Sequence, residues 1–336
     1  MAIRASIPSN PNPENPLHVA LRRQLEQRRE LLSAAAAQVP EAKIAGLLRE
    51  VDAALKRFDQ GTYGLCEVCH TDVEDERLLA DPMVRVCLCE FSPQQREALE
   101  KDLELAAQIQ SRLLPRQDVR CDGWHVAYHY KPLGVVSGDY CDLIDGVDGQ
   151  LHFIVGDVAG KGVAASMLMS NLSAIFRALI PQGLSMTELM KRANRIFTES
   201  VLPNQYATLV CGRAFSDGRL ELASAGHVPA LLVAGDEVQE VGSQSMPIGL
   251  FAGQEFSAAT FVLAPGGSLV LFSDGVSEAR CQDEDYGYER IAAAVMQSAG
   301  LAPHEVIANC VRDLESFLGS EPAFDDQTLM VVQRRD

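Results

Sequence analysis

Twice in this chain an apolar run suited to a buried strand ends in an aspartate at a glycine turn: "LHFIVGDVAG" from Leu151 and "SLVLFSDG" from Ser268. Asp157 and Asp274 therefore stand at the edge of a core. Two further acidic sites share this local grammar, "SGDY" at Asp139 and "FDDQT" at Asp325 and Asp326. One Asp-Gly pair is ordinary turn chemistry. Four such sites beside strand-like runs imply a cluster, and clustered carboxylates resist desolvation unless divalent cations neutralise them. Oxygen-only donors favour Mg²⁺ or Mn²⁺ over zinc. Two such ions about 4 Å apart can share a carboxylate, lower the pKa of a bridging water and hold a phosphoryl group for in-line attack.

The loop "GDVAGKGVAAS" beginning at Gly156 looks at first like a nucleotide cradle. The P-loop needs G-x-x-x-x-G-K-[ST], whose hydroxyl reaches magnesium. Here Gly160 follows Gly156 too closely and Gly162 stands where Ser or Thr is required. What the loop offers is Asp157 between an apolar run and a glycine turn.

Candidate strands fall at 151–158, 207–215, 220–226, 230–235, 268–275 and 328–334, and helical stretches at 162–180, 185–201, 287–299 and 303–318. Several strands follow one another with no helix between them, so an α+β sandwich fits better than a doubly wound α/β sheet. The length of 336 residues fits two domains. From residue 101 onward, 17 Lys and Arg stand against 30 Asp and Glu. Such a surface argues for metal ions and against nucleic acid as the partner. No apolar run reaches the ~18 residues expected of a membrane span, and the polar, proline-rich start lacks a signal-peptide core, so a cytoplasmic location is expected.

Four of the nine cysteines crowd into one segment, at Cys66, Cys69, Cys87 and Cys89, which suggests a reduced compartment with one zinc site. Before them, Leu17, Leu21 and Leu25, then Ile44, Leu48, Val51, Leu55 and Phe58, recur at helical spacing, as in a helical hairpin. After them, "SPQQREALEKDLELAAQIQSRLL" opens with a capping Ser92 and is closed by Pro115. Its seam of Leu99, Leu103, Ala106, Gln110 and Leu113 fits either a helix packed on its own domain or a short parallel coiled coil joining two protomers. The expected organisation is a disordered tail at 1–16, a hairpin and zinc knuckle at 17–91, a linker helix at 92–115 and a catalytic domain at 116–336.

No cysteine is followed six positions later by arginine, and no H-E-x-x-H occurs, which removes two competing hydrolase chemistries. The ordered set "LELAAQIQSRLLP", "VVSGDYCDL", "GDVAGKGVAASMLM", "ASAGHVPALL", "SMPIGLF", "LVLFSDGVSEAR" and "FDDQTLMVV" resembles the metal-dependent serine/threonine protein phosphatases (PPM family), in the SpoIIE/RsbU branch. The resemblance implies an αββα sandwich with two Mn²⁺ or Mg²⁺ ions. It implies that Asp157 bridges them, with the backbone carbonyl of Val158 on one ion and Asp274 and Asp325 on the other. Asp139 acts at the metal centre directly or through water, and Asp326 is a ligand or a support for its neighbour. Asp142 fits the "GD-x-x-D" pattern as an outer ligand or as a strand-edge carboxylate. Lys161 reads more readily as a solvated loop lysine than as a phosphate contact, His227 as a packed histidine rather than a general acid, and Cys141 as a small core residue.

Cys66-x-x-Cys69 followed by Cys87 has the spacing of a structural zinc site. With the hairpin it resembles the DksA/TraR-type zinc finger, although Cys87-Leu88-Cys89 stands where that family has C-x-x-C. Cys89 is the expected fourth ligand, with His70 or Glu90 as alternatives. The hairpin tip "SAAAAQVPE" carries only Glu41, so the finger is expected to sense, dimerise or dock. Together these readings predict a phosphoserine/phosphothreonine protein phosphatase in bacterial signalling, acting on a phosphorylated anti-sigma-factor antagonist or similar protein. The rival is a transcription-associated binding protein that works through the finger and carries a degenerate phosphatase domain.

Overall fold

The computed structural model describes residues 16–38, 42–88, 93–202, 205–235, 237–242, 245–282 and 284–335. The expected tail, but for Pro16, lies outside them, as do Cys89, Glu90 and Ser92. The chain divides into two compact units after Leu103.

In the first unit, α1 (Pro16–Gln38) and α2 (Ala42–Asp59) pack together. Leu21, Leu25 and Leu32 of α1 and Ile44, Leu47, Val51 and Ala54 of α2 are buried. This is the apolar stripe of an amphipathic pair. Leu48 and Leu55 sit at its margin, one step round the helix from the fully buried row. A short α3 (Asp75–Ala80) lies between the cysteine pairs, and α4 (Pro93–Ser111) ends before Pro115.

The second unit is built from two large antiparallel sheets and a small two-stranded ribbon. The first six strands in chain order with their helices are β1 (Asp118–Cys121), β2 (Trp124–Lys131), β3 (Asp139–Asp145), β4 (Leu151–Val158), α5 (Gly162–Leu179), α6 (Met186–Ser200), β5 (Ala207–Ala214) and β6 (Arg219–Ala225). Then come β7 (Ala230–Ala234), β8 (Glu237–Val241), β9 (Ala259–Val262), β10 (Ser268–Phe272), the single turn α7 (Asp274–Ser277), and the two-residue strands β11 (Arg280–Cys281) and β12 (Glu284–Asp285). The chain ends with α8 (Gly287–Gln297), α9 (Pro303–Leu318) and β13 (Gln327–Arg334). One sheet has the order β1-β2-β13-β10-β7-β8 and the other β3-β4-β5-β6-β9.

Three apolar layers follow. Cys141, Phe153, Val155, Leu271 and Met330 fill the space between the sheets. Ile154, Leu209 and Cys211 meet α5 and α6 on one outer face, and Val270, Phe272 and Val331 meet α8 and α9 on the other. Strands covered on both faces must be apolar at successive positions. All five residues of β10 are accordingly buried, and β4 is buried except at Asp157. This is the expected αββα sandwich.

Against the sequence expectation, one described helix, Gly162–Gln182 including a terminal 3₁₀ turn, is long and apolar enough by composition to cross a bilayer. Its apolar residues Leu168, Met169, Leu172, Ile175 and Phe176 are buried in the layer against the β3–β9 sheet.

Candidate active site and zinc knuckle

β3 and β4 pair in a register that sets Asp139 opposite Asp157. Gly138 permits the approach of the neighbouring loop, since a Cβ there would meet the Val158 and Gly160 carbonyl oxygens at 3.2 and 3.4 Å. From the other sheet, β10 runs into Ser273 and Asp274, and β13 begins just after Asp325 and Asp326. Gly275 is required here: a Cβ would lie 2.0 Å from the Asp326 carbonyl oxygen. The sandwich thus brings carboxylates from both sheets to one end.

Their electrostatics record the crowding. Burial, followed by the charges of Asp274, Asp139, Asp325 and Asp326, pushes Asp157 well above the usual carboxylate range. Burial and then Asp326 do the same to Asp139. Asp274 rises to about 7, chiefly by burial and next by Asp325. Each group disfavours ionisation of the others. An all-oxygen set of this kind fits hard divalent cations.

The five aspartates are held differently. The Asp139 carboxylate accepts hydrogen bonds from Ser273 Oγ at 2.9 Å and Thr328 Oγ1 at 2.5 Å. Both Asp326 oxygens are taken by backbone, from Leu133 N at 2.7 Å and Gly138 N at 2.9 Å. Asp326 therefore fastens the β2–β3 loop beside Asp139. Asp325 accepts from Asp326 N at 2.9 Å and pairs with Lys161 Nζ at 3.0 Å. Lys161 is no solvated loop lysine: its side chain is 9% exposed, and it also donates to the Phe324 carbonyl. That position arises because the glycine turn folds Lys161 back over the β13 entrance.

Asp142 is not brought to the site. Three residues along a strand from Asp139, it faces the opposite side. There it is fully buried and pairs bidentately with Arg177 of α5, at 2.8 and 2.9 Å. Cys141 faces the inter-sheet core, where burial pushes its thiol up. His227 is packed, but not idle. Its Nε2 lies 3.1 Å from the Phe272 carbonyl and its Nδ1 2.8 Å from Thr208 Oγ1. The neutral ring donates to the carbonyl and accepts from the hydroxyl, joining β5 to the residue before Ser273. Burial lowers its pKa to about 4, which removes it as a proton donor near neutrality.

Sequence reasoning passed over Ser273, Thr328 and Ser137 as supports. It placed Gln110 on a heptad seam, whereas Gln110 is buried and grips one backbone residue twice: Nε2 donates to Ser137 O at 2.7 Å and Oε1 accepts from Ser137 N at 3.0 Å. Ser137 Oγ accepts from Asp139 N at 3.0 Å. The last turn of α4 is thus two hydrogen-bonded steps from Asp139.

In the first unit, Cys66, Cys69 and Cys87 bring their sulfurs within 4.8 Å of one another. Cys66 Sγ accepts from Val68 N at 3.4 Å and Cys87 N at 3.3 Å. Backbone N–H groups at Cys69 and Cys87 lower the Cys66 thiol pKa and favour the thiolate that zinc requires. His70 is exposed, with a left-handed φ of 59°, and does not join the sulfur cluster.

Residues 147–335 match the SpoIIE family, Stage II sporulation protein E, and residues 61–96 match the prokaryotic dksA/traR C4-type zinc finger. The chain is 23% identical over 243 residues to phosphoserine phosphatase RsbU of Bacillus subtilis, covering 71% of this chain and 72% of that one. It is 28% identical over 185 residues to phosphoserine phosphatase RsbP of Bacillus subtilis, covering 53% of this chain and 46% of that one. The SiaA-PP2C domain of Pseudomonas aeruginosa shares the fold with a TM-score of 0.62 at 22% identity, over 72% of this chain and 98% of that one. A structure of RsbU and RsbW domains from Mycobacterium tuberculosis gives 0.56 at 29% identity, over 66% and 62%. With the match spanning more than half its length, the chain belongs to the SpoIIE family and is a PP2C-type protein serine/threonine phosphatase preceded by a dksA/traR-type zinc-finger segment.

Proposed function

We propose that this phosphatase is a metal-dependent signalling enzyme whose substrate is a phosphorylated protein of the anti-sigma-factor-antagonist class. The observation that carries the metal requirement is the convergence of Asp139, Asp157, Asp274 and Asp325 from two sheets, where burial and then the acidic neighbours push Asp157 well above the usual carboxylate range. Asp157, the Val158 carbonyl, Asp274 and Asp325 would hold Mn²⁺ or Mg²⁺, with Asp139 positioned by Ser273 and Thr328. When bound, the ions would supply activation of water and neutralisation of phosphoryl charge. Asp326 keeps its role as the fastening of the Leu133–Gly138 loop. Lys161 holds Asp325 in place.

The substrate class is supported by similarity to RsbU and RsbP, both phosphoserine phosphatases. In this reading Cys66, Cys69, Cys87 and Cys89 hold a structural Zn²⁺, and the finger regulates the enzyme through α4. The Gln110 grip on Ser137 supports that route. Dimerisation through α4 would use Leu105 and Ile109, which are 55% and 57% exposed, because Gln110 is engaged within its own unit.

The test is hydrolysis of a phosphate ester and of a phosphoserine peptide with Mn²⁺, Mg²⁺ or EDTA, comparing wild type with Asp157→Asn. Turnover that needs metal and falls by at least about 10²-fold in the variant is expected, the scale of losing a principal electrostatic group. Equal turnover in the two proteins, or turnover that survives EDTA, would overturn the metal assignment.

A further inference from the structure

Outside the carboxylate cluster and the knuckle, the second unit gathers another set of metal-ligating side chains. Asp118 opens β1, His125 is the second residue of β2, and His304 lies in the first turn of α9. One ligand atom from each lies within 4.8 Å of the others. Asp118 Oδ1 is 2.9 Å from His125 Nε2, and Asp118 Oδ2 is 3.3 Å from His304 Nδ1. We propose that Asp118, His125 and His304 form a binding site for a divalent transition-metal ion of the zinc class, separate from the phosphatase centre.

The placement follows from register. Arg120 pairs with His125 and Asp118 with Ala127, so Asp118 and His125 are diagonal neighbours on one sheet face. Ala127, on the same face, belongs to the layer that includes Val306 and Ile307 of α9. Packing of α9 on that sheet therefore brings His304 to the pair. The hairpin is fixed by Asp122 and Gly123, both at positive φ, 42° and 84°, as a tight two-residue turn requires. Three ligands on a tight hairpin and the helix packed against its face are positioned before any ion arrives.

The donor set decides the class of ion. Two imidazoles and one carboxylate are suited to Zn²⁺, Ni²⁺ or Cu²⁺, whereas Mg²⁺ prefers oxygen alone. His125 is buried with its Nε2 turned toward Asp118, while the Asp118 and His304 side chains are 44% and 54% exposed. An ion here would be anchored from inside and reached from solvent, with room for water beyond three protein ligands, the open arrangement of exchangeable zinc sites. His125 and Lys131 lie at opposite ends of β2, about 20 Å apart at ordinary strand rise. Lys131 leads into the Leu133–Gly138 loop held by Asp326. The ion would therefore clamp the hairpin to α9 far from the reacting phosphate.

The experiment uses the full chain with its cysteine site loaded with zinc and with saturating Mg²⁺. Zn²⁺ binding is then measured by equilibrium dialysis for wild type, His304→Ala and Asp118→Asn, with Trp124 fluorescence confirming that each remains folded. Wild type is expected to take up one equivalent more than His304→Ala, and Asp118→Asn to bind that equivalent about tenfold or more weakly. Cadmium-113 NMR of the wild type should show a signal of mixed nitrogen and oxygen ligation, distinct from thiolate and all-oxygen signals and lost in His304→Ala. Equal stoichiometry in wild type and His304→Ala overturns the proposal. So does an extra equivalent that disappears in Asp157→Asn instead, because the ion then sits among the phosphatase carboxylates.

Discussion

His227 makes the phosphatase unit acid-sensitive in a way that one substitution removes. Its ring is buried in the neutral form, bonded to Thr208 and to the Phe272 carbonyl, and titrates at about 4 instead of the ordinary 6.5. The folded-state pKa is depressed, so the contribution is complete above pH 6.5 and declines as the unfolded chain takes up a proton that the folded chain refuses. The whole difference corresponds to roughly 3 kcal/mol at 1.36 kcal/mol per pH unit, of which about 2 kcal/mol is lost by pH 5. Gln places an amide nitrogen near the position of Nε2, keeps the bond to Phe272 and does not titrate. His227→Gln should therefore cost about 1 kcal/mol at pH 8 through the lost Thr208 bond, and less than nothing at pH 5, where it becomes the more stable protein. The assay is urea unfolding followed by fluorescence of Trp124, the single tryptophan, which is buried between the sheets of this unit. The raised carboxylates change stability with the opposite sign, but they are common to both proteins and cancel in the difference. Parallel stability curves for wild type and His227→Gln between pH 8 and pH 5 would refute the reasoning.

Two further perturbations test the supports of the site. Gln110→Ala leaves the buried Ser137 N–H and C=O without their partner, at about 1–3 kcal/mol for each unsatisfied group. Metal-dependent turnover should fall in step, and Gln110→Glu should recover little because its carboxylate opposes the Ser137 carbonyl. Turnover at the wild-type level in Gln110→Ala would show that the α4 contact does not reach Asp139. Gly275→Ala forces a Cβ against the Asp326 carbonyl and the Asp325 side chain, so β10 and β13 must separate at the site. The expected cost is about 1–3 kcal/mol of overpacking in the Trp124 unfolding assay, with loss of turnover even at saturating Mn²⁺. Retained stability with retained turnover would contradict it.

What was legible in the sequence divides along physical lines. Asp157 and Asp274 could be found because each ends a strand covered on both faces, and such strands are continuous apolar runs that announce their own ends. The helices of 185–201 and 303–318 were legible for a similar reason: Ser185, which accepts from Glu188 N, and Glu305, which accepts from Ala302 N, mark their starts locally. β2 was passed over because His125, His129 and Tyr130 interrupt its apolar residues, although His125 is buried and β2 pairs along its full length with β13.

Asp142 shows where pattern and geometry part. The spacing "GD-x-x-D" suggests two carboxylates at one centre, yet an odd separation along a strand sends them to opposite faces. Had 139–145 been identified as a strand, alternation alone would have assigned Asp142 to the helix side, where Arg177 neutralises it. Lys161, Gln110 and His227 were beyond any local signal. Their partners lie 163 or 164, 27, and 19 or 45 residues away, and only closure of the sandwich makes those separations short. The division has a mechanistic sense. The acidic groups that would hold metal stand at strand ends, where local chemistry writes them into the sequence. The groups that hold those acids in place, Ser273, Thr328, Ser137 and the backbone around Asp326, become partners only when the two sheets meet. A carboxylate cluster this costly to bury is kept together by the closed sandwich, so perturbing the contacts between the sheets should disturb metal affinity before it disturbs the aspartates themselves.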